Sequence, residues 1–362
     1  DVRNVAYSGQ CIVEAGLQHE IVVSVMEMPP GCHGPDTPDF YLGVVNKILE
    51  QEVPFHSLCF KDASGTLTPS KVFETARLAR KRLPGGTRLV WHTHDTAGLG
   101  ISQYLAALEG GADQIDLSLS PVSHGTCQPD VITMWHALRG SDFVLDVDPD
   151  RMFNVEKVLK ECLGGYFVPP ESRRVEPIIP FSPMPGGALT ANTQMMRDYK
   201  IFDRYPDVIR GMGEVVRRGG GGISVTPVSQ FYFQQAFNNV MFGPFKKIAP
   251  GYGKMVLGYF GRTPVPPDEK IVKLASEQLG LPHTDEDPMA IDDRDPGKGE
   301  KNARELLNKA SLPVSPENLF IAAICKQKGI TFLKGEAEIA IRKTDNTAQE
   351  ENSSRDAAKG PV

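Results

Sequence analysis

The stretch TRLVWHTHD, residues 87–95, decides how the rest of the chain is read. Leu89, Val90 and Trp91 make a short apolar run. Two histidines two apart and an aspartate follow it, and then the glycine-broken segment TAGLG. In an extended strand residues i and i+2 face the same side, so His92 and His94 point together from the end of a strand. Two imidazoles so placed suit a metal site. Two hydrogen-bonded core histidines are the competing reading.

On either side the same pattern repeats. EIVVSVMEM (20–28), HSLCFKD (56–62) and DQIDLSLSPV (113–122) are further strand-like runs. Amphipathic helical segments separate the four. One carries Tyr41, Val44, Val45 and Ile48, the next Val72, Ala76, Ala79 and Leu83, and the third Ile101, Tyr104, Leu105 and Leu108. A last helix with Val131, Trp135 and Leu138 follows the fourth run. Strand starts recur roughly every 25 to 35 residues, the βαβ spacing that implies parallel strands. Polar groups gather where the strands end: Glu27, Lys61 with Asp62, His92 with His94 and Asp95, then Ser120 and Ser123. In a (β/α) barrel that edge carries the chemistry, and an open doubly wound sheet binds ligands there too. The GxGxxG phosphate loop of the open fold is missing.

Past residue 150 the strand pattern thins into glycine-punctuated, helix-like stretches, which predicts a second, mainly helical domain. The segment 282–303 reads as a mobile loop, and 316–335 as a helix followed by a strand. The polar stretch 344–362 reads as a linker, and Asp1 as a cap on an opening helix. GGGG at 219–222 lacks the Lys-Ser/Thr that follows a phosphate loop and reads as a flexible connection.

Composition narrows the function classes. The formal net charge is −6 and there is no long basic run, so nucleic acid is a poor partner. The six cysteines form no CxxC pair. They read as reduced thiols of a cytoplasmic protein. No apolar run approaches the roughly 20 residues of a spanning helix.

Lys61 ends the apolar run SLCF. Burial there disfavours an ammonium, and a neutral amine can form a Schiff base, act as a base or capture carbon dioxide as a carbamate. A carbamate would suit a metal already held by two imidazoles. A lysine extending to solvent is the plain alternative. His124 and Cys127 lie close enough to the same strand ends to touch a ligand.

Five segments, FKDASGTLTP (60–69), HTHDTAG (92–98), GADQIDLSLSPVSHGTCQP (111–129), MPGGALTANT (184–193) and VTPVSQ (225–230), occur in the order seen in one family. RTPVPPDEKIVKLASEQLG (262–280) adds a sixth likeness. Together they resemble the biotin-dependent carboxyltransferases, which include a pyruvate carboxylase subunit, the oxaloacetate decarboxylase alpha subunit and the large transcarboxylase subunit. The resemblance runs to about residue 343. It implies an α/β fold, a (β/α)8 TIM barrel followed by a mainly helical carboxyltransferase domain. HTHD would be its seventh strand, so the chain would hold the C-terminal half of the barrel, strands five to eight. The implied division is 1–150 partial barrel, 151–343 helical domain and 344–362 linker.

By matching positions the resemblance makes His92 and His94 ligands of a divalent metal (Zn, Mn or Co). Lys61 becomes a carboxylated lysine sharing that site, and Thr190 the hydroxyl that shuttles a proton between biotin and the keto-acid methyl group. Biotin would ride on a downstream domain or separate subunit. The partners implied are that carrier, a biotin carboxylase subunit or membrane decarboxylase subunits, a 2-oxo acid such as pyruvate or oxaloacetate, and further copies of the chain in a homo-oligomer. The sequence departs from the family's DMAG with DASG (62–65), and from SGxTSQP with SHGTCQP (123–129). It has no RDAHQS-like strand bearing a metal-ligating aspartate, and no LRG-type segment bearing a substrate arginine. Residues 1–362 taken alone are therefore expected to associate and to lack transfer activity. A metal-dependent aldol-type lyase or condensing enzyme of the same barrel class, and an inactive assembly subunit, are the rival expectations.

Overall fold

The structure, a computed structural model, describes residues 2–32 and 34–337. The expected cap at Asp1 and the linker 344–362 lie outside the described residues. Helix α1 (Arg3–Glu14) precedes four strands and three helices in alternation: β1 (Glu20–Val25), α2 (Pro38–Leu49), β2 (Ser57–Asp62), α3 (Pro69–Arg82), β3 (Arg88–Thr93), α4 (Gly100–Glu109) and β4 (Gln114–Ile115). The strands form one parallel sheet in the order β1-β2-β3-β4.

Strand parity sorts the side chains between the two faces. Ile21, Leu58 and Leu89 lie in register, as do Val23, Phe60 and Trp91. These six belong to a core that also holds Tyr41, Leu42 and Val45 of α2, Val72 and Ala76 of α3, and Tyr104 and Ala107 of α4. The large side chains there are almost fully excluded from water, each contributing about 1.5–3 kcal/mol from burial. The opposite face carries the alternate residues. One of its rows is Val22, Cys59, Val90 and Gln114, and the next is Ser24, Lys61 and His92. Val22 on this face is 51% exposed.

Helix starts follow the capping chemistry in the sequence. The Thr37 side chain accepts from Phe40 N with Pro38 in the first turn, and Pro69 opens α3, whose last turn is basic. The fourth strand is shorter than the sequence pattern predicts. The chain leaves β3 after Ile115, and Ser118 instead bridges Asp130, which caps α5 (Val131–Ala137).

From Pro149 onward the elements are helical. They are α6 (Pro149–Leu163), α7 (Gly186–Asp198), α8 (Tyr205–Arg218), α9 (Val228–Phe242), α10 (Pro250–Val256) and α11 (Glu269–Leu279). The sheet and these helices make one compact unit, comprising Asp1–Gly164, Val168–Leu257 and Thr263–Pro282. A second unit gathers Gly165–Phe167, Gly258–Arg262 and the chain from His283. It holds α12 (Pro288–Asp293), α13 (Gly299–Lys309) and α14 (Pro316–Leu333).

Two expectations need correction here. The segment read as a mobile loop contains α12 and the start of α13, with Asp287 accepting from Met289 N at the first helix start. The strand expected after residue 326 is the continuation of α14 past a kink at Lys326. Ile330 packs with Ala303, Leu307 and Ala322, and that apolar contact holds the segment helical. No helix of the described residues is long and apolar enough to cross a membrane.

Candidate active site

The strand ends build the site, beginning with the turn after β2. Asp62 is fully buried and its carboxylate accepts from Ser64 N, Gly65 N, Leu67 N and the Gln103 side chain. Burial pushes its pKa up against those four donors. Asp62 is thus occupied in folding the DASG turn onto α4. Gly65 has φ +66°, and a Cβ there would meet His94 O at 2.0 Å, so the turn can close on the HTHD strand end only with glycine. Glu27, another polar strand end, is tied to Lys71, which also binds Asp36. Asp95 accepts from Gly100 N at 2.9 Å and lies 2.7 Å from His124 Nδ1. Ser120 is held through its backbone N–H by Asp130.

His92 and His94 stand side by side, ring centroids 5.2 Å apart. His94 Nδ1 lies 2.7 Å from Thr126 O. A carbonyl only accepts, so Nδ1 carries the proton and Nε2 the lone pair. Burial pushes this imidazole's pKa down to about 4, which keeps it neutral. His92 Nδ1 lies 2.8 Å from Asp116 Oδ2, and that hydrogen bond holds the Asp116 carboxyl below the usual range. Each ring is therefore anchored through Nδ1, by a carboxylate in one case and a backbone carbonyl in the other. This is the outer support typical of metal-ligating histidines. The two Nε2 atoms converge on the Gln128 side-chain amide, whose Nε2 is 3.3 Å from one and 3.4 Å from the other. Gln128 Oε1 accepts from Ser118 Oγ at 3.0 Å.

Lys61 pairs in register with His92 and shares its face of the sheet. Its charge acts on both His94 and Asp116. Among the described residues its ammonium forms no hydrogen bond or ion pair. No group of three or more His, Cys, Asp or Glu side chains fit to hold a metal occurs among the described residues. The donor set is instead two imidazoles with Lys61 and Gln128 beside them. It fits a divalent ion at the two imidazoles, with the remaining positions open to oxygen donors.

Thr190 reaches this place from α7. Its hydroxyl donates to Thr126 Oγ1 at 3.1 Å, with Gly186 O at 3.2 Å. Thr126 is the joint, because its carbonyl accepts the hydrogen bond from His94 Nδ1 and its hydroxyl accepts from Thr190. Gly186 makes the approach feasible: a Cβ there would lie 2.1 Å from Thr126 O and 2.8 Å from His94 Nδ1. Gly186 N also donates to Ala63 O, pinning the start of α7 to the DASG turn. Three sequence-predicted segments, DASG, HTHD and MPGGALT, thus meet at one point.

Residues 179–358 match the conserved carboxylase domain family. The methylmalonyl-CoA carboxyltransferase 5S subunit of Propionibacterium freudenreichii subsp. shermanii is 25% identical over 367 residues, covering 100% of this chain and 71% of its own length. A pyruvate carboxylase subunit of Methanocaldococcus jannaschii is 26% identical over 339 residues, covering 93% of this chain and 57% of its own. The carboxyl transferase domain of Rhizobium etli pyruvate carboxylase superposes with TM-score 0.76 at 20% identity, covering 93% of this chain and 57% of that one.

Residues 179–358 belong to the conserved carboxylase domain family, and the chain as a whole is similar to the pyruvate carboxylase and transcarboxylase subunits. It spans 57% of the length of the Methanocaldococcus pyruvate carboxylase subunit and of the solved domain that it matches.

Beside the residues that the family resemblance pointed to, the site holds three that sequence reasoning did not single out. Asp116 and Gln128 flank the histidines, and Thr126 links them to Thr190. All three lie within the quoted stretch 111–129, yet nothing in its spacing showed which side chains turn toward HTHD. His124, expected near a ligand, is engaged by Asp95, and burial pushes the Cys127 thiol up.

Proposed function

We propose that the protein to which this chain belongs carries out the carboxyl-transfer step between carboxybiotin and a 2-oxo acid, pyruvate or oxaloacetate, residues 1–362 alone being inactive. The site would be His92, His94, Lys61 and Thr190, within the C-terminal half, strands five to eight, of a (β/α)8 barrel. The observation that carries the reading is Thr126. One residue fixes the His94 ring through its carbonyl and receives the Thr190 hydroxyl, so the imidazole pair and the proton carrier form a single assembly. The barrel reading draws support from the helices α2, α3 and α4 packing on one face only, with the Ser24–Lys61–His92 row on the other.

His92 and His94 would hold a zinc, manganese or cobalt ion through Nε2, and Lys61 as its carbamate would add an anionic oxygen. The ion, when bound, supplies the positive charge that stabilises a developing enolate. The chain's own part is positioning and proton transfer. Thr190 Oγ1 takes a proton from the substrate methyl group and gives one to the biotin ring, while the hydroxyl of Thr126 keeps it aimed. Asp116 and Thr126 O hold the imidazoles in the tautomer that leaves Nε2 free. The keto-acid enolate then bonds to the carbon dioxide released from carboxybiotin, and the reverse sequence decarboxylates. The partners are a biotin carboxyl carrier domain or subunit, with a biotin carboxylase subunit or membrane decarboxylase subunits supplying or consuming its carboxyl group. A homo-oligomer in the cytoplasm is the setting proposed.

The test uses the full-length gene product and its biotin carrier with a panel of 2-oxo acids, together with metal analysis. Wild type should transfer carboxyl to at least one acceptor and carry about one divalent ion per chain. A His92→Ala/His94→Ala double variant should lose both. Unchanged metal content in the double variant would remove the site assignment. Lack of transfer to every acceptor would remove the activity.

A further inference from the structure

We propose that Glu171 and Arg197 are positioning residues that aim the Thr190 hydroxyl; the proposal rests on the reading of Thr190 as the proton carrier. The single 3-10 turn Pro170–Arg173 reaches α7 by two routes. In the first, Ser172 O accepts from Thr126 N at 2.9 Å and from Thr126 Oγ1 at 3.2 Å, and Thr126 Oγ1 accepts from Thr190 at 3.1 Å. In the second, Glu171 takes Arg197 Nη2 of α7 in an ion pair. Ser172 and Glu171 are neighbours in the chain, so the two routes close a ring through the stretch of α7 between Thr190 and Arg197. The turn in that ring is stiff. Ser172 N and Ser172 Oγ both donate to Pro169 O, at 2.9 and 2.7 Å. A Cβ on Gly125 would lie 2.3 Å from Ser172 O, so the turn touches the backbone beside Thr126 directly. Glu176 N donates to Thr96 O, which ties the following residues to the HTHD loop.

Helix geometry gives the ring its use. Thr190 and Arg197 are seven residues apart, two turns, so they share one face of α7 about 10 Å apart along its axis. Gly186 N, bonded to Ala63 O, fixes where the helix starts but not its rotation about that axis. Two contacts on one face fix the rotation. A turn of about 15° would carry a hydroxyl ~4 Å from the axis through ~1 Å, and a misplacement of that size can cost about 100-fold in rate. The bond from Thr190 to Thr126 joins two neutral hydroxyls, whereas a charge-assisted bond is roughly twice as strong. The Glu171 and Arg197 side chains are only 20% and 25% exposed, so solvent weakens their pair less than it weakens a surface pair. Burial pushes the Glu171 carboxyl up, yet its hydrogen bond from Arg197 holds it below the usual range. The guanidinium also lies over the Phe202 ring, 4.1 Å from its centroid, which restricts how Arg197 can turn.

Two measurements on the full-length protein test this. The first needs neither substrate nor cofactor: denaturant unfolding of Thr190→Val, Arg197→Met and the double variant. Sites this far apart without a shared partner have additive effects. A closed ring is released by one cut, so the double variant should shift the midpoint by less than the sum of the single shifts. Additive shifts overturn the proposal. Glu171→Gln, which keeps the volume and removes the charge, is the milder cut and takes the place of Arg197→Met where that variant does not fold. The second measurement is carboxyl transfer with pyruvate and its methyl-deuterated form. Arg197→Met should lower kcat by on the order of tenfold or more with KM unchanged. It should also raise the deuterium isotope effect on kcat, because removal of the methyl proton becomes the slow step. Arg197→Lys should recover most of the rate, since a single nitrogen makes the contact. A variant that is only less stable loses active protein with an unchanged isotope effect; that outcome, a wild-type kcat in Arg197→Met, or a lysine variant as slow as the methionine one overturns the proposal. Thr190→Ala separates the two ideas. If it is slow while Arg197→Met is normal, only the positioning role falls. If it turns over near-normally, the proton-carrier reading falls and the positioning role with it.

Discussion

His94 shows how one side chain couples stability to the site. Its folded pKa is about 4, depressed mainly by burial from an ordinary 6.5. The unfolded chain therefore takes up a proton at higher pH than the folded one, and stability falls as pH drops from about 6.5 toward 4. The full effect is about 3 kcal/mol, present above the unfolded value and lost below the folded one. Denaturant unfolding with a chelator present, at pH 7 and pH 4.5, should show that loss in wild type. His94→Asn, which keeps a donor for Thr126 O, should show about 2 kcal/mol less of it, since pH 4.5 is still above the folded value. Equal pH slopes in the two proteins would refute the assignment.

Thr190 gives a second test at the same scale. Thr190→Ala should leave folding and metal content intact and slow transfer by on the order of 100-fold or more, whereas Thr190→Ser keeps the hydroxyl and should retain more activity. Near-normal turnover in the alanine variant would end its role. The pairing of His92 with His94 was legible from their i, i+2 spacing at a strand end, and Lys61 from its place after the apolar run SLCF, while its share in a metal site came only through the family likeness. Thr190 was visible only through the family likeness. Thr126 and Gln128 could not be read, because their direction depends on hydrogen bonds to Ser118, Ser172 and His94 rather than on any local period.

Among the elements, β1, β2, β3 and the helices between them were legible from apolar periodicity and from caps such as Thr37-Pro38. The fourth run failed as a long strand for a tertiary reason: Asp95 N bonds Cys127 O, so the chain beyond Ile115 folds back on itself rather than following β3. Helix α12 was missed although Asp287-Pro288 is a cap signal, because its polar surroundings masked so short a helix. The start of α7 is the element on which the site depends most. Gly186→Ala would drive a methyl group into Thr126 O and the His94 ring, costing about 1–3 kcal/mol as overpacking and moving Thr190 away. Gly187→Ala is the matched control. No atom beyond its chain neighbours and its own helix backbone lies within 4 Å of its Cβ position, and alanine in the helix should be neutral or slightly stabilising. Unfolding midpoints of the two variants decide it. Equal stability would mean that α7 does not press on the histidine loop.

At the scale of the whole chain, the sheet has one unmet demand. Among the described residues β1 is an edge strand, and its outer N–H and C=O groups pair with no other strand of the sheet. Beside that edge Val22 is 51% exposed, on the face that also bears Lys61 and His92. A regular parallel edge next to exposed apolar surface is a template for pairing with another chain. Residues 1–362 expressed alone should therefore associate, and size-exclusion chromatography with light scattering should show species larger than a monomer. A charge at the edge opposes such pairing, so Val22→Lys should shift the distribution toward monomer. Val144→Lys supplies the comparison: Val144 is 87% exposed but lies outside the sheet, and the same charge there should leave association unchanged. A monodisperse wild-type monomer, or an equal shift from both lysine variants, would show that the edge of β1 does not govern how the chain assembles.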